Sequence, residues 1–262
     1  MNLFLSALWA EALKARRSKI PLLAFTGFTV APLMDGLFMF IMKDPERARD
    51  MGLLSTKAQL AMSTAEWSTF FSVLTQAIAI GGSIVFAIVT AWVFGREFSD
   101  HTAKDLMALP TSREKIVTAK LLVISIWVFI TTLWIYLAGL VIGKLVDIPG
   151  WASALARQSF ADVLLTAAMT LLLMTPVAVI ASMGRGYLPP LGFAVLTIFF
   201  SQIIAATGWG DWFPWSVPAL FSGVVGPREE QLGLHSYVLL VSASLIGLGL
   251  TFWWWRTADQ TR

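Results

Sequence analysis

Six stretches of the chain, roughly 20–42, 73–95, 118–143, 160–183, 188–206 and 236–255, are almost free of charge and long enough to cross a lipid core, which takes about 20 mostly apolar residues. None has the strict alternation of a half-buried strand. A Lys or Arg at the centre of such a helix costs about 2.5–3.5 kcal/mol on insertion, and all 19 basic residues lie in connections, termini or span edges. The pattern therefore predicts an all-α membrane protein with six spans forming one transmembrane domain over 1–262. The apolar run after Lys19 continues through Met42 without a small-residue cleavage site, so it reads as a retained span rather than a signal peptide.

Ahead of the first span, Leu5, Leu8, Trp9, Ala12, Leu13 and Arg16 recur at helical spacing. That spacing predicts a basic amphipathic helix over 3–17 lying in the membrane interface, its apolar face in the acyl boundary and its cations near head groups. Between the second and third spans stands the one long charged insert, running from Phe94 to Lys120. Ser99 or Asp100 is a plausible N-cap for a short helix through Leu106 that ends before Pro110, and Thr111 or Ser112 can cap the helix that follows. Such a helix carries Leu106, Met107 and Leu109 on one side and charges on the other. A stiff element outside the bilayer, joined to two helices within it, can act as a lever.

Composition narrows the classes. The chain is 57% hydrophobic and 13% charged, with 12 Trp, far from the quarter of charged residues in an ordinary soluble domain. With no cysteine and two isolated histidines, His101 and His235, expected on opposite sides of the membrane, thiolate and metal chemistry are not anticipated. The net charge of +3 is mainly a topology signal. With the N-terminus cytoplasmic, that side receives Lys14, Arg16, Arg17, Lys19, Arg96, Lys104, Arg113, Lys115, Lys120, Arg185, Arg256 and Arg262. The other side receives the smaller set Lys43, Arg47, Arg49, Lys57, Lys144, Arg157 and Arg228. Both termini are thus expected in the cytoplasm, and the scattered basic residues do not form a nucleic-acid face.

Polar groups at membrane depth are functional candidates: Asp35, Gln76 and Gln202 for a transport pathway, and Asp162 near the outer end of the fourth span. Asp35 is equally compatible with a solvated interfacial acid. Pro32, Pro176 and Pro189–Pro190 read as kinks and helix starts, and Gly139-x-x-x-Gly143 permits close helix packing. A short helix is possible in the outer connection around Leu53, Leu54 and Leu60. Gly208-Trp-Gly-Asp-Trp-Phe-Pro-Trp215 concentrates aromatic residues as an interfacial belt would, with a re-entrant segment as the alternative.

The run Arg96-Glu97-Phe98-Ser99-Asp100-His101-Thr102, followed by Leu106-Met107-Ala108-Leu109-Pro110-Thr111-Ser112-Arg113 and Ile116 to Leu122, resembles the signature of the type-two ATP-binding-cassette (ABC) exporter permeases, in the branch with bacitracin-type and lantibiotic-immunity permeases. The resemblance implies an N-terminal elbow helix, six spans with cytoplasmic termini, a coupling helix after the second span and a re-entrant segment before the sixth. It also implies that Glu97, Thr102, Leu106, Pro110 and Arg113 belong to the element that docks on a separate ATPase. His101 departs from the pattern, which commonly has Gly before Thr. The chain carries no G-x-x-x-x-G-K-[ST] phosphate loop, so ATP and Mg are expected in a partner subunit, alongside a second permease copy in a bacterial cell membrane. The expected function is export of an amphipathic or hydrophobic substrate, with no catalysis in this chain. A secondary transporter would need ionisable relays and related halves, and none is evident. An intramembrane enzyme of the Glu-Glu-x-x-x-Arg type rests on Glu229–Glu230 alone, with Leu234 where Arg is required.

Overall fold

A computed structural model describes residues 3–43, 65–108, 110–224 and 232–257. All regular structure among the described residues is helical, and six helices are long and apolar enough to cross a membrane: Lys19–Lys43, Trp67–Ser99, Arg113–Leu145, Ser153–Met183, Leu188–Ala206 and Leu234–Thr257. These are spans 1 to 6. The proposed helix around Leu53, Leu54 and Leu60, the pair Glu229–Glu230 and Leu109 fall outside the described residues.

Spans 2 and 3 are each 33 residues long, about 50 Å at 1.5 Å per residue, well beyond a hydrocarbon core of about 30 Å. Hydropathy marks only the lipid-buried part of such a helix. The excess carries polar residues past the bilayer, and the charged insert begins as a continuation of span 2 rather than as a loop.

Prolines act as the sequence suggests. Span 1 breaks at Thr29 into Lys19–Phe28 and Val30–Lys43, since Pro32 cannot donate to the Phe28 carbonyl. Span 4 breaks at Leu173 into Ser153–Leu172 and Met174–Met183. Pro176 leaves the Leu172 carbonyl without its usual donor, and the Thr175 hydroxyl donates to it at 3.0 Å and to the Ser244 carbonyl of span 6 at 2.7 Å. The kink thereby becomes a seam with span 6, where a Cβ on Gly247 would lie 2.6 Å from the Pro176 nitrogen. Pro189 and Pro190 stand in the first turn of span 5, where their missing N–H groups have no helical acceptor anyway.

Spans 2 and 4 are the most buried and spans 1, 5 and 6 the least. The N-terminal helix, Leu3–Arg17, lies across the start of span 3; we call its end of the bundle proximal and the opposite end distal. Gly139 and Gly143 pack span 3 against span 2 within the chain: a Cβ on Gly139 would be 3.0 Å from Leu74 Cδ2, and one on Gly143 would enter the Trp67 ring. Distally, an aromatic shell of Trp67, Phe70, Phe71, Trp151, Tyr136 and Phe160, in tilted, edge-on and stacked pairs, joins spans 2, 3 and 4. Residues 208–221 form two 3-10 turns, Gly210–Trp212 and Pro214–Ser216, then a short helix, Val217–Phe221. The buried residues Ser216, Val217 and Leu220 tuck it into the bundle, and the Ser216 hydroxyl donates to the Ser201 carbonyl at 3.2 Å. Trp209 and Trp212 stay exposed.

Candidate functional site: a buried charge cluster at the proximal end

Glu97 sits three residues from the end of span 2, and there it meets three charges from two other elements. Lys120 of span 3 places its three ammonium protons on Glu97 Oε1 at 2.9 Å, Glu11 Oε2 at 3.2 Å and the Val93 carbonyl at 2.7 Å. Lys14 donates to Glu11 Oε1 at 2.6 Å and Glu97 Oε1 at 2.9 Å. Lys120 is 0% exposed, Glu97 2% and Glu11 5%, and the Phe94 ring lies 5.9 Å from the Lys120 ammonium.

Two lysines and two glutamates make the cluster neutral, which is the condition under which buried charge is tolerated. Burial alone would lower the Lys14 pKa, but the carboxylates of Glu97 and Glu11 outweigh it and hold it above the ordinary lysine value. The cluster ties the N-terminal helix, the end of span 2 and the start of span 3 into one body. Glu97 Oε2 has no hydrogen-bond partner in this arrangement.

The turn after span 2 is set by His101. Its φ of 58° lies in the left-handed region, the His101 N–H donates to the Phe98 carbonyl at 3.3 Å and the Thr102 N–H to the Glu97 carbonyl at 2.9 Å. This is the double bond pattern that closes helices, usually with glycine at the left-handed position. Ser99 and Asp100 consequently finish span 2 instead of capping the short helix, which runs Ala103–Met107 with Thr102 at its N-cap position.

The sequence-derived docking residues divide into two groups. Thr102 and Pro110 are exposed, with Lys104, Asp105 and Ala108 between them. Glu97 faces inward, Leu106 is half-buried against the core, and Arg113 donates through Nη1 to the carbonyls of Trp255 at 3.1 Å and Arg256 at 3.3 Å. Arg256 in turn pairs with Glu114 at 2.6 Å, so the C-terminal end of span 6 is also fastened to the insert. Trp255, buried, donates its indole N–H to Ser182 at 3.0 Å. Span 2 passes the turn after span 4 closely enough that a Cβ on Gly95 would lie 2.8 Å from the Gly186 carbonyl oxygen.

The membrane-depth candidates are not assembled into one site. Asp35 is 4% exposed and neither carboxylate oxygen has a hydrogen-bond partner. Gln76 donates to Ser72 one turn back at 3.2 Å, and Gln202 is exposed on span 5. Asp162 lines a polar cavity of about 150 Å³ between spans 2 and 4 with Ser72, Thr75 and Ser159. His101 and His235 lie at opposite ends; His235 Nε2 is 2.9 Å from Asp211 Oδ2 and its ring is 4.5 Å from that of Trp212.

Sequence reasoning missed the role of Glu11, Lys14 and Lys120. The available signal was an acid, Glu11, in an amphipathic helix beside apolar positions, and a lysine, Lys120, followed directly by the apolar run of span 3. Charges so placed need partners of opposite sign.

A family model described as ABC-2 family transporter protein matches residues 7–201, from the N-terminal helix into span 5. The bacitracin transport permease protein BCRB of Bacillus licheniformis is 24% identical over 192 residues, covering 73% of this chain and 91% of that protein. No solved structure matches the chain.

Proposed function

The chain belongs to the ABC-2 transporter family, a multi-pass permease of the bacitracin-like branch, and we propose that it exports an amphipathic or hydrophobic compound using ATP hydrolysed, with Mg, by a separate nucleotide-binding subunit. The observation that carries this reading is the charge cluster of Glu11, Lys14, Glu97 and Lys120. It makes the N-terminal helix and two long spans move together, directly beneath the exposed surface of the short helix Ala103–Met107.

In this reading the short helix is the coupling helix and the N-terminal helix its elbow. Thr102 and Pro110 meet the ATPase, Leu106 and Arg113 seat the insert on the core and on span 6, and Glu97 passes the displacement to the spans. A push on the insert cannot be absorbed locally, because separating any one of the three elements exposes unpaired charge. The proximal end then lies in the cytoplasm with both termini, the membrane being the bacterial cell membrane. A second permease copy faces the outward apolar surfaces of spans 1 and 5, which carry Leu22, Leu23, Val195 and Phe199. Asp35, Gln76 and Gln202 mark the pathway in this scheme, and the 208–221 segment is the re-entrant closure at its outer mouth. Bacitracin transport, the activity in the relative's name, gives the substrate class an amphipathic peptide as its first case.

The test is transport in proteoliposomes with and without the cognate ATPase. We expect substrate movement only with the ATPase and ATP, and loss of ATPase co-purification when Thr102 and Pro110 are both replaced by Asp. Full transport without any nucleotide hydrolase would sink the reading.

A further inference from the structure

We propose that a cleft at the proximal end binds the phosphate head group of an anionic lipid. The cleft holds about 550 Å³ and lies between the N-terminal helix, the end of span 2 and the turn before span 5. Three cations line it: Lys14 and Arg17 from the N-terminal helix and Arg96 from span 2, with Asp100 the one carboxylate and Trp92 and Tyr187 its aromatic walls.

The cations are not equivalent. Lys14 is committed to Glu11 and Glu97 behind it. Arg17 makes no ion pair among the described residues, and Arg96 has only a long contact, 3.9 Å from Nε to Asp100. The Arg96 guanidinium is held 5.0 Å over the Trp92 ring, which fixes it at the cleft mouth. Arg96 is therefore a positioned, under-used guanidinium and Arg17 an uncommitted one, and the guanidinium fork is the geometry that grips phosphate oxygens.

A lipid fits better than a free anion because of what continues from the cleft. Ile84, Ile88, Trp92 and Arg96 recur every four residues and so form one stripe along span 2, and Ile84 and Ile88 are exposed. A phosphate between Arg17 and Arg96 places its acyl chains along that stripe, toward the membrane centre. Trp92, itself buried, and Tyr187, half-buried, form the cleft wall. The site abuts the charge cluster through Lys14, so an occupied cleft braces the N-terminal helix against span 2. The inference rests on membrane embedding alone and stands or falls separately from the ATPase reading.

The experiment places the full chain in nanodiscs of phosphatidylcholine containing a minor fraction of phosphatidylglycerol and counts retained lipids by native mass spectrometry. We expect phosphatidylglycerol to be retained in preference. Each lost cation should weaken it about five-fold, so Arg17→Gln falls by about that factor and Arg17→Gln with Arg96→Gln by about twenty-five-fold. Arg96→Lys, which keeps the charge but loses the fork, should bind between wild type and Arg96→Gln, and Lys104→Gln, an exposed cation on the short helix, should leave binding unchanged. Equal retention of the two lipids, native-like binding by the double variant, or an equal loss in Lys104→Gln overturns the proposal. So does full displacement by millimolar inorganic phosphate, which would mark a free-anion site.

Discussion

Both ends of the bundle pack aromatic rings, with Phe94, Phe98, Trp254 and Trp255 clustered proximally, but the proximal end adds a buried ion-pair cluster. Proximally, Lys120 alone makes three directional bonds to two carboxylates and a carbonyl, and the Arg113 and Arg256 contacts add span 6 to the same body. Distally, rings meet rings, as in Trp67 against Phe70, Phe71 and Trp151 at centroid distances of 5.6, 5.2 and 4.8 Å, and the ion pair of Lys43 with Asp147 is exposed. Dispersion contacts are individually small and can partly repack, so a slight shift costs less there than separating paired buried charges does. Buried charges tolerate no such slip. In the proposed mechanism, a bundle stiffer at one end than the other would convert a displacement at the stiff end into rearrangement at the far one.

The sharpest way to break the contrast is Glu97→Ala. It leaves Lys120 and Lys14, two buried or part-buried cations, with Glu11 as their one carboxylate and should cost about 3–5 kcal/mol, read as a fall in unfolding temperature of the purified protein. Lys43→Ala at the exposed distal pair should cost no more than about 1 kcal/mol. Equal losses would erase the distinction. Pairing Glu97→Leu with Lys120→Met leaves Glu11 and Lys14 matched and should recover much of the stability but not ATP-driven transport, which would separate anchoring by charge from anchoring by packing.

Next in size is Gly143→Leu, which drives a side chain into the Trp67 ring and should cost about 1–3 kcal/mol by overpacking. Because the damage is distal, binding of an ATPase should persist where Glu97→Ala weakens it. Co-purification of the two variants with the partner measures that difference. His101→Gly relieves a left-handed backbone at a residue with a Cβ and should raise stability by roughly 1 kcal/mol; a loss instead would mean that the imidazole makes a needed contact. Smallest is the pH effect of Lys14. Its folded pKa is raised, so its contribution is fully present below the ordinary lysine value of about 10.4 and fades as pH climbs through the higher folded value. Lys14→Gln should flatten that alkaline decline in an unfolding series.

Much of the scaffold could be read from the residues. The N-terminal helix appears at 3–17 as its spacing requires, each hydropathy window holds a span, and Pro176 and Pro189–Pro190 do what proline chemistry dictates. Span ends were less legible, since Arg96, Glu97 and Arg113 look like loop residues to any hydropathy measure yet continue their helices. The sequence marked the position of His101 as unusual, while its left-handed turn moved the expected cap from Ser99 or Asp100 to Thr102. The pairing within the charge cluster could not be read for a plain reason. Its members lie 83 and 109 residues apart in the pairs Lys14–Glu97 and Lys120–Glu11, and nothing local in either sequence neighbourhood names the other.

That separation along the chain bears on how the protein is made. Glu11 and Lys14 leave the ribosome long before residue 120 exists, so the first helix must wait at the membrane surface with only each other's charge for company. The knot can be tied only after the third hydrophobic segment has inserted, and a chain halted after the second would hold Glu97 to Lys14 without the ammonium that completes it. Correct seating of the helix Leu3–Arg17 is thus a late step in biogenesis.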